Sequence, residues 1–197
     1  MIPVSDTPAI LCAEYADGVT CIGQANINLN RSARGSIKKI FMQSPCTATR
    51  DALSAIRNAN LIILGPGDIY TSTLANFVVS GVPEAVAASS ARLVHVMNLF
   101  TTPESRKMTM MDYVTRVTRY ASRSPDIVVV NSAPISETIL RHYARHGQHP
   151  LLDNLTSNVV RVDILQAARV EQHVADAVVR SLVRHDPDKL ARVIMAL

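Results

Sequence analysis

Leu61-Ile62-Ile63-Leu64-Gly65-Pro66-Gly67-Asp68-Ile69-Tyr70-Thr71-Ser72 is the stretch that decides the fold. Four consecutive apolar residues closed by glycine and proline read as a short strand buried on both faces, which is the habit of parallel sheets. The glycines turn the chain, and the hydroxyls of Thr71 and Ser72 open a helix expected over 72–89, interrupted near Gly81 and Pro83. Downstream the same unit recurs. A strand over 93–97 leads to Asn98, and 109–122 is helical, with Tyr113, Val114, Val117 and Tyr120 on one face. A strand over 127–130 enters Asn131-Ser132, and 136–146 is helical with Ser136 as its N-cap. A last strand spans 159–164, and helices follow at 168–182 and 187–196, the latter opened by Asp186-Pro187. Upstream lie a helix over 49–58, a strand over 37–42, and a hairpin of 8–15 with 19–27 around Asp17-Gly18. Strand and helix in alternation predict right-handed βαβ units. The fold class expected is α/β, Rossmann-like and three-layered, a mainly parallel sheet plus an N-terminal β-hairpin, in one domain over 1–197.

Composition agrees and excludes other classes. The chain has 197 residues, 48% hydrophobic and 18% charged, enough apolar material to bury a core. No apolar run approaches the roughly 20 residues that span a bilayer. The opening Met1-Ile2-Pro3-Val4-Ser5-Asp6 lacks the basic and apolar regions of a signal peptide, so a cytoplasmic location is expected. Three cysteines without C-x-x-C spacing, Cys12, Cys21 and Cys46, argue against disulfide or zinc frameworks; Cys12 and Cys21 read as small core residues. The net charge of +4 is mildly basic, but only 4% of residues are aromatic and none is tryptophan. That is poor material for stacking bases, so nucleic acid is not an expected partner.

In open parallel sheets the ligand sits off the carboxyl ends of the strands. Here those ends carry Gly65-Pro66-Gly67-Asp68, Asn98 and Asn131. Glycine admits a ligand close to the backbone, and a helix start offers N–H groups to an anion. The loop fits neither the Walker A pattern nor G-x-G-x-x-G, and a tight turn with a hydroxyl cap accounts for it equally well. Asn98 and Asn131 are amides able both to donate and to accept, although a lone asparagine there more often closes an Asx-turn. His142 and His146 share a helix face with His149 nearby, but flanking Arg141 and Arg145 and the lack of carboxylate or thiol ligands favour an exposed basic face over a metal site. Arg184, before the last helix, either clamps a phosphate bidentately or lies on the surface beside a helix that Asp186 caps. No catalytic nucleophile, metal or cofactor is expected.

Taken in order, six segments resemble one family. They are Ile2-Pro3-Val4-Ser5-Asp6-Thr7-Pro8, Gly23-Gln24-Ala25-Asn26-Ile27, the run from Ala59 through Ser72 continuing to Asn76 and Gly81-Val82-Pro83-Glu84-Ala85, Asn98-Leu99-Phe100-Thr101-Thr102-Pro103, Val130-Asn131-Ser132-Ala133-Pro134-Ile135, and Arg184-His185-Asp186-Pro187-Asp188-Lys189-Leu190. Together they resemble the gluconeogenesis-factor family, bacterial proteins related in fold to the 2-phospho-L-lactate transferases of coenzyme F420 synthesis. The resemblance implies a UDP-sugar ligand, of the UDP-N-acetylglucosamine type, and roles in carbon metabolism, cell-wall precursor supply and cell shape. It implies a ligand cleft lined by Gly65, Pro66, Gly67, Asp68, Tyr70, Thr71, Ser72, Asn76, Asn98 and Asn131. It also implies that Tyr143 and Arg184 match the family's tyrosine and arginine for the nucleotide sugar.

Two departures stand out. Family members carry an N-terminal glycine-rich G-G-G-T-G βα unit that nothing here matches, so the chain resembles the carboxyl-terminal part of the family's domain. The family's T-Q-P-G-E-T is here Thr101-Thr102-Pro103-Glu104-Ser105-Arg106. Without the missing unit a strand edge would be left open, so a homo-oligomer or a complementing chain is expected. The alternative reading is a transferase moving a phospholactyl group to a deazaflavin. The transferases favour G-P-S-N-P where this chain has Gly65-Pro66-Gly67-Asp68-Ile69, which favours the binding protein.

Overall fold

The computed structural model describes residues 1–29, 35–166 and 183–197. The opening hairpin forms from β1 (Leu11–Tyr15) and β2 (Thr20–Ile22), and β3 (Ile37–Met42) pairs antiparallel on the other side of β1. Its second strand is shorter than expected. At Gly23 the backbone turns with φ of +90°, the Gly23 N–H closes the ladder on the Leu11 carbonyl at 2.8 Å, and the chain becomes α1 (Gln24–Leu29). A left-handed φ is open to glycine, and the turn lets Ile27 drop fully into the core.

The second sheet is parallel and runs β4 (Leu61–Leu64), β5 (Arg92–Val96), β6 (Ile127–Asn131), β7 (Val159–Val162), in spatial as in chain order. Strands added one after another by right-handed crossovers place their connections on one face. On that face Leu93, Val128 and Val130 pack with α3 (Val82–Ala88), α4 (Met110–Ala121) and, beyond them, the antiparallel sheet. The opposite face, Val94, Val96 and Val129 with Ile164, is covered by Leu190, Val193 and Ile194 of α6 (Pro187–Met195). Sheet and two flanking layers make the three-layer α/β architecture expected. The expected helix over 168–182 lies outside the described residues.

Local chemistry explains the remaining elements. Thr49 caps α2 (Arg50–Arg57), its hydroxyl accepting from the Ala52 N–H at 3.1 Å. Asp186 caps α6 as expected, accepting from Asp188 and Lys189 at 3.0 and 2.9 Å. Ser136 stands at the start of α5 (Glu137–Arg145), but its hydroxyl makes no capping bond. The helix expected over 72–89 is a correction. A π-helical turn (Ile69–Thr73) and a 3-10 turn (Leu74–Val78) come first, and regular helix begins only at Val82. The Asp68 carbonyl accepts from both Ser72 and Thr73, and the Asn76 amide caps the Ser72 carbonyl at 2.8 Å, so the ladder is drawn off register. Pro83 does not interrupt a helix; it sits in the first turn of α3, where its missing N–H has no intrahelical partner to lose.

Cys12 is buried and Cys21 half-buried, on adjacent strands. Among the described residues the outer edge of β4 pairs with no strand, and Ile63 on it is 46% exposed. An apolar groove of about 440 Å3 lies beside that strand, with Ile56, Ile62, Ile63, Phe77 and Val86 in its lining. None of the described helices is long and apolar enough to cross a membrane.

Candidate ligand-binding site

Gly65 ends β4 with φ of +74°, followed by a cis Gly65-Pro66 peptide. A Cβ at Gly65 would stand 2.9 Å from the Val96 carbonyl oxygen, and one at Gly67 would stand 3.0 Å from the Ser72 Cβ. Packing and backbone conformation together demand glycine at Gly65, while a side chain at Gly67 would press on Ser72. The Gly67 N–H donates to Asn98 Oδ1 at 3.0 Å, joining the exits of β4 and β5.

Beyond these exits lies a cavity of about 410 Å3, lined by Pro66, Gly67, Asp68 and Asn98 at its floor. Tyr143 of α5 stacks on Phe100, ring centroids 4.0 Å apart and planes 14° from parallel, to form one wall. Arg184 and His185 close another side, and Arg184 is exposed at the mouth. The loop carrying Phe100 is laced to the 148–151 segment: the Thr101 N–H donates to His149 O at 2.8 Å, and the Gln148 amide donates to Thr101 O at 3.1 Å.

The sequence-derived residues divide into three groups. Pro66, Gly67, Asp68, Asn98, Tyr143 and Arg184 converge on this cavity from four separate elements. Gly65, Ser72 and Asn76 line the apolar groove beside β4 instead, with Pro66 and Gly67 shared between the two. Tyr70 and Thr71 are buried. The Tyr70 ring lies under the Arg116 guanidinium at 5.3 Å, and the Thr71 hydroxyl bonds to the Asn28 side chain. These two brace the turn from behind and offer no side chain to the cavity.

Asn131 lies apart as well, on a smaller cavity of about 240 Å3 that shares Asn98 and Leu99 with the larger one. Its amide is consumed by backbone: Nδ2 donates to Ala133 O at 2.8 Å, and Oδ1 accepts from Ala133 and Ile164, both at 3.3 Å. That is the Asx-turn alternative weighed for a lone asparagine. Phe100, Gln148 and His185 line the large cavity without having been singled out. Phe100 is two residues beyond Asn98, a usable signal; Gln148 arrives on a loop with no pattern of its own.

The electrostatics follow burial. Desolvation raises the Asp68 carboxyl, with a bond from Thr71 partly offsetting it. Glu104, 8% exposed, is pushed up to about 7 by burial, opposed by the Thr102 hydroxyl and a backbone N–H and reinforced by the charge of Asp68. Burial holds the His95 imidazole down at about 4 and lowers His185, which a contact with the Met97 backbone counters. Arg184 thus faces a cavity whose acid is Asp68 and beside which burial disfavours the charged form of His185. His142 and His146 rings are 5.0 Å apart on the exposed side of α5, and His146 Nδ1 sits 3.0 Å from the His142 carbonyl. Among the described residues no three His, Cys, Asp or Glu side chains are placed to share a metal ion.

A family model described as 2-phospho-L-lactate transferase CofD matches residues 1–178. The chain belongs to the CofD family. Within the family its relatives carry another name. A Bacillus subtilis gluconeogenesis factor is 28% identical over 203 residues, covering all of this chain and 61% of that protein. A Thermotoga maritima protein provisionally given the same name is 34% identical over 195 residues, 98% of this chain and 60% of its own. The fold of this CofD-family chain is similar to the crystal structure of a UPF0052 family member from Bacillus halodurans, with a TM-score of 0.84 and 27% identity, over 98% of this chain and 60% of that one. The chain thus spans about 60% of the length of these relatives.

Proposed function

We propose that this CofD-family chain carries the ligand cavity of a gluconeogenesis factor. It binds a UDP-sugar of the UDP-N-acetylglucosamine type. It acts as a cytoplasmic regulator of carbon metabolism, cell-wall precursor supply and cell shape, without a reaction, metal or cofactor of its own. The observation that carries this reading is the convergence of Arg184, the Tyr143–Phe100 stack and the Asp68 turn on one cavity at the strand ends. An exposed guanidinium meets a diphosphate with charge-assisted bonds, and an aromatic wall suits a base. Calorimetric titration with UDP and UDP-sugars tests it directly, and absence of binding at millimolar ligand would overturn it.

The family model's own description names an enzyme, and this supports a second reading as a phospholactyl transferase. Incubation with a deazaflavin acceptor and a nucleotide-activated phospholactate decides between the two, because formation of the phospholactyl ester would displace the regulatory reading. That the outer edge of β4 pairs with no strand among the described residues supports a further element of the proposal. A second copy or a complementing chain covers it, since an open edge with an exposed isoleucine invites pairing.

A further inference from the structure

Among the described residues Glu104 is a carboxylate buried with neither oxygen hydrogen-bonded, an arrangement that costs free energy unless the group is neutral. It sits in the 3-10 turn Pro103–Ser105, two residues beyond Thr102, which lines the large cavity. The turn is tied down on both sides. The Ser105 hydroxyl meets Thr102 Oγ1 at 2.8 Å and accepts from the Tyr113 hydroxyl at 2.9 Å. Among the described residues no element packed around the turn brings a cation to the Glu104 carboxyl. Helix α1, which packs on the turn, has no charged residue. The groups that feel Glu104 electrostatically are Asp68 and Tyr70 after β4, Tyr15 of β1 and Tyr113 of α4. Arg116 of α4 lies over the Tyr70 ring, while Asp112 and Arg119 of α4, and Arg106 and Lys107 beyond the turn, are exposed or half-buried.

The large cavity has a matching imbalance of charge. Among its lining residues Arg184 supplies one positive charge and Asp68 one negative, and burial disfavours the charged form of His185. Behind the lining, Glu104 adds a second negative charge, which repels that of Asp68. An anion entering beside Asp68 therefore meets more negative than positive charge unless a proton is taken up. We propose that Glu104 is a proton-linked switch: the cavity takes its anionic ligand together with a proton that solvent supplies to the Glu104 carboxyl. Asp68 then loses its repelling neighbour, and the Arg184 guanidinium acts on the ligand against one buried charge instead of two. By linkage, the ligand favours the protonated carboxyl and the protonated carboxyl favours the ligand by the same factor. Affinity therefore rises as pH falls. Burial already holds Glu104 at about 7 in the unliganded fold, so the change falls near neutrality. The inference rests on the nucleotide-sugar reading and adds to it a regulator of the same site, the proton.

UDP-N-acetylglucosamine carries a constant charge between pH 6 and 8, so any pH dependence of its binding in that range belongs to the protein. Calorimetric titration of the whole chain at pH 7 in PIPES and in imidazole counts the protons taken up, because the two buffers release different heats per proton. If the bound ligand makes Glu104 a tenfold weaker acid, about 0.4 proton enters per ligand, and affinity at pH 8 is about fivefold weaker than at pH 6. Glu104→Gln keeps the shape and removes the charge; uptake falls below about 0.1 proton and the two affinities come within about twofold. Asp68→Asn removes the repelling neighbour and makes Glu104 a stronger acid, so the fall in affinity moves to lower pH. His185→Gln keeps the uptake. Should Glu104→Gln fail to fold, the displaced profile of Asp68→Asn carries the test. Binding without proton uptake in the parent overturns the switch and leaves the nucleotide-sugar reading standing. Uptake that persists in Glu104→Gln, or disappears in His185→Gln, also overturns it. Absence of binding at both pH 6 and pH 8 removes the two readings together.

Discussion

At Gly65 a single methyl group meets a carbonyl oxygen, that of Val96, at 2.9 Å, on a backbone already at φ +74°. Gly65→Ala therefore carries both steric and conformational cost, and a loss of about 1–3 kcal/mol is expected in urea denaturation. Arg184→Ala tests the opposite kind of residue, one that costs the fold little. It should weaken UDP-sugar binding roughly ten- to hundredfold, about 1.5–3 kcal/mol, with the melting temperature unchanged. Glu104 gives a pH signature. Its folded pKa of about 7 lies above the ordinary 4.5, so between these values the folded chain holds a proton that the unfolded chain releases. Stability from this group is full below about pH 4.5 and falls as pH rises through 7, by up to roughly 3 kcal/mol. His95, held at about 4, works on the acid side: between 6.5 and 4 the unfolded chain binds the extra proton, and stability falls as pH drops. Glu104→Gln should remove the first slope and leave the second. Denaturation midpoints at pH 5 and 8 read the difference, and an unchanged alkaline slope would show that Glu104 is not its source.

Elements here are set by caps and turn residues more than by propensity. Asp186 holds the first turn of α6 with two backbone bonds, and its own N–H donates to Ile164 O at 2.8 Å. Asp186→Ala is expected to cost about 1 kcal/mol, a fall of a few degrees in melting temperature. Because His185 and Arg184 immediately precede that cap, UDP-sugar affinity should fall with it, although Asp186 is not itself among the cavity's lining residues. Other boundaries were less legible. The strand runs of 61–64 and 127–130 and the helix at 110–121 could be read from β-branched density and 3.6-residue spacing. The end of β2 could not, since Gly23 reads equally as a weak strand position or a turn. Nor could the π and 3-10 turns after Asp68, which arise from a shared carbonyl acceptor and the Asn76 cap.

For the molecule as a whole, the sheet order β4-β5-β6-β7 leaves β4 at one margin, with an exposed Ile63 and an apolar groove beside it. Size-exclusion with light scattering is expected to show a species larger than the monomer, and Ile63→Lys should return it to monomer by placing a charge on that edge. A monodisperse parent monomer would count against self-association. The sequence alone determined the α/β class and the residues at the strand exits, because burial on two faces and the periods of strand and helix are local properties. It also pointed to Asp186 as a cap, where side chain and partner are two or three residues apart. Only the tertiary structure decided which exit residues meet. Asn98 and Asn131 are alike in sequence, yet one stands between two cavities while the other spends its amide on Ala133 and Ile164. Tyr70 and Thr71 lie in the same loop as Asp68 and turn into the core. Cavities are made by chain segments far apart in sequence, and side-chain direction at a turn depends on what packs behind it, so neither is encoded in any local pattern.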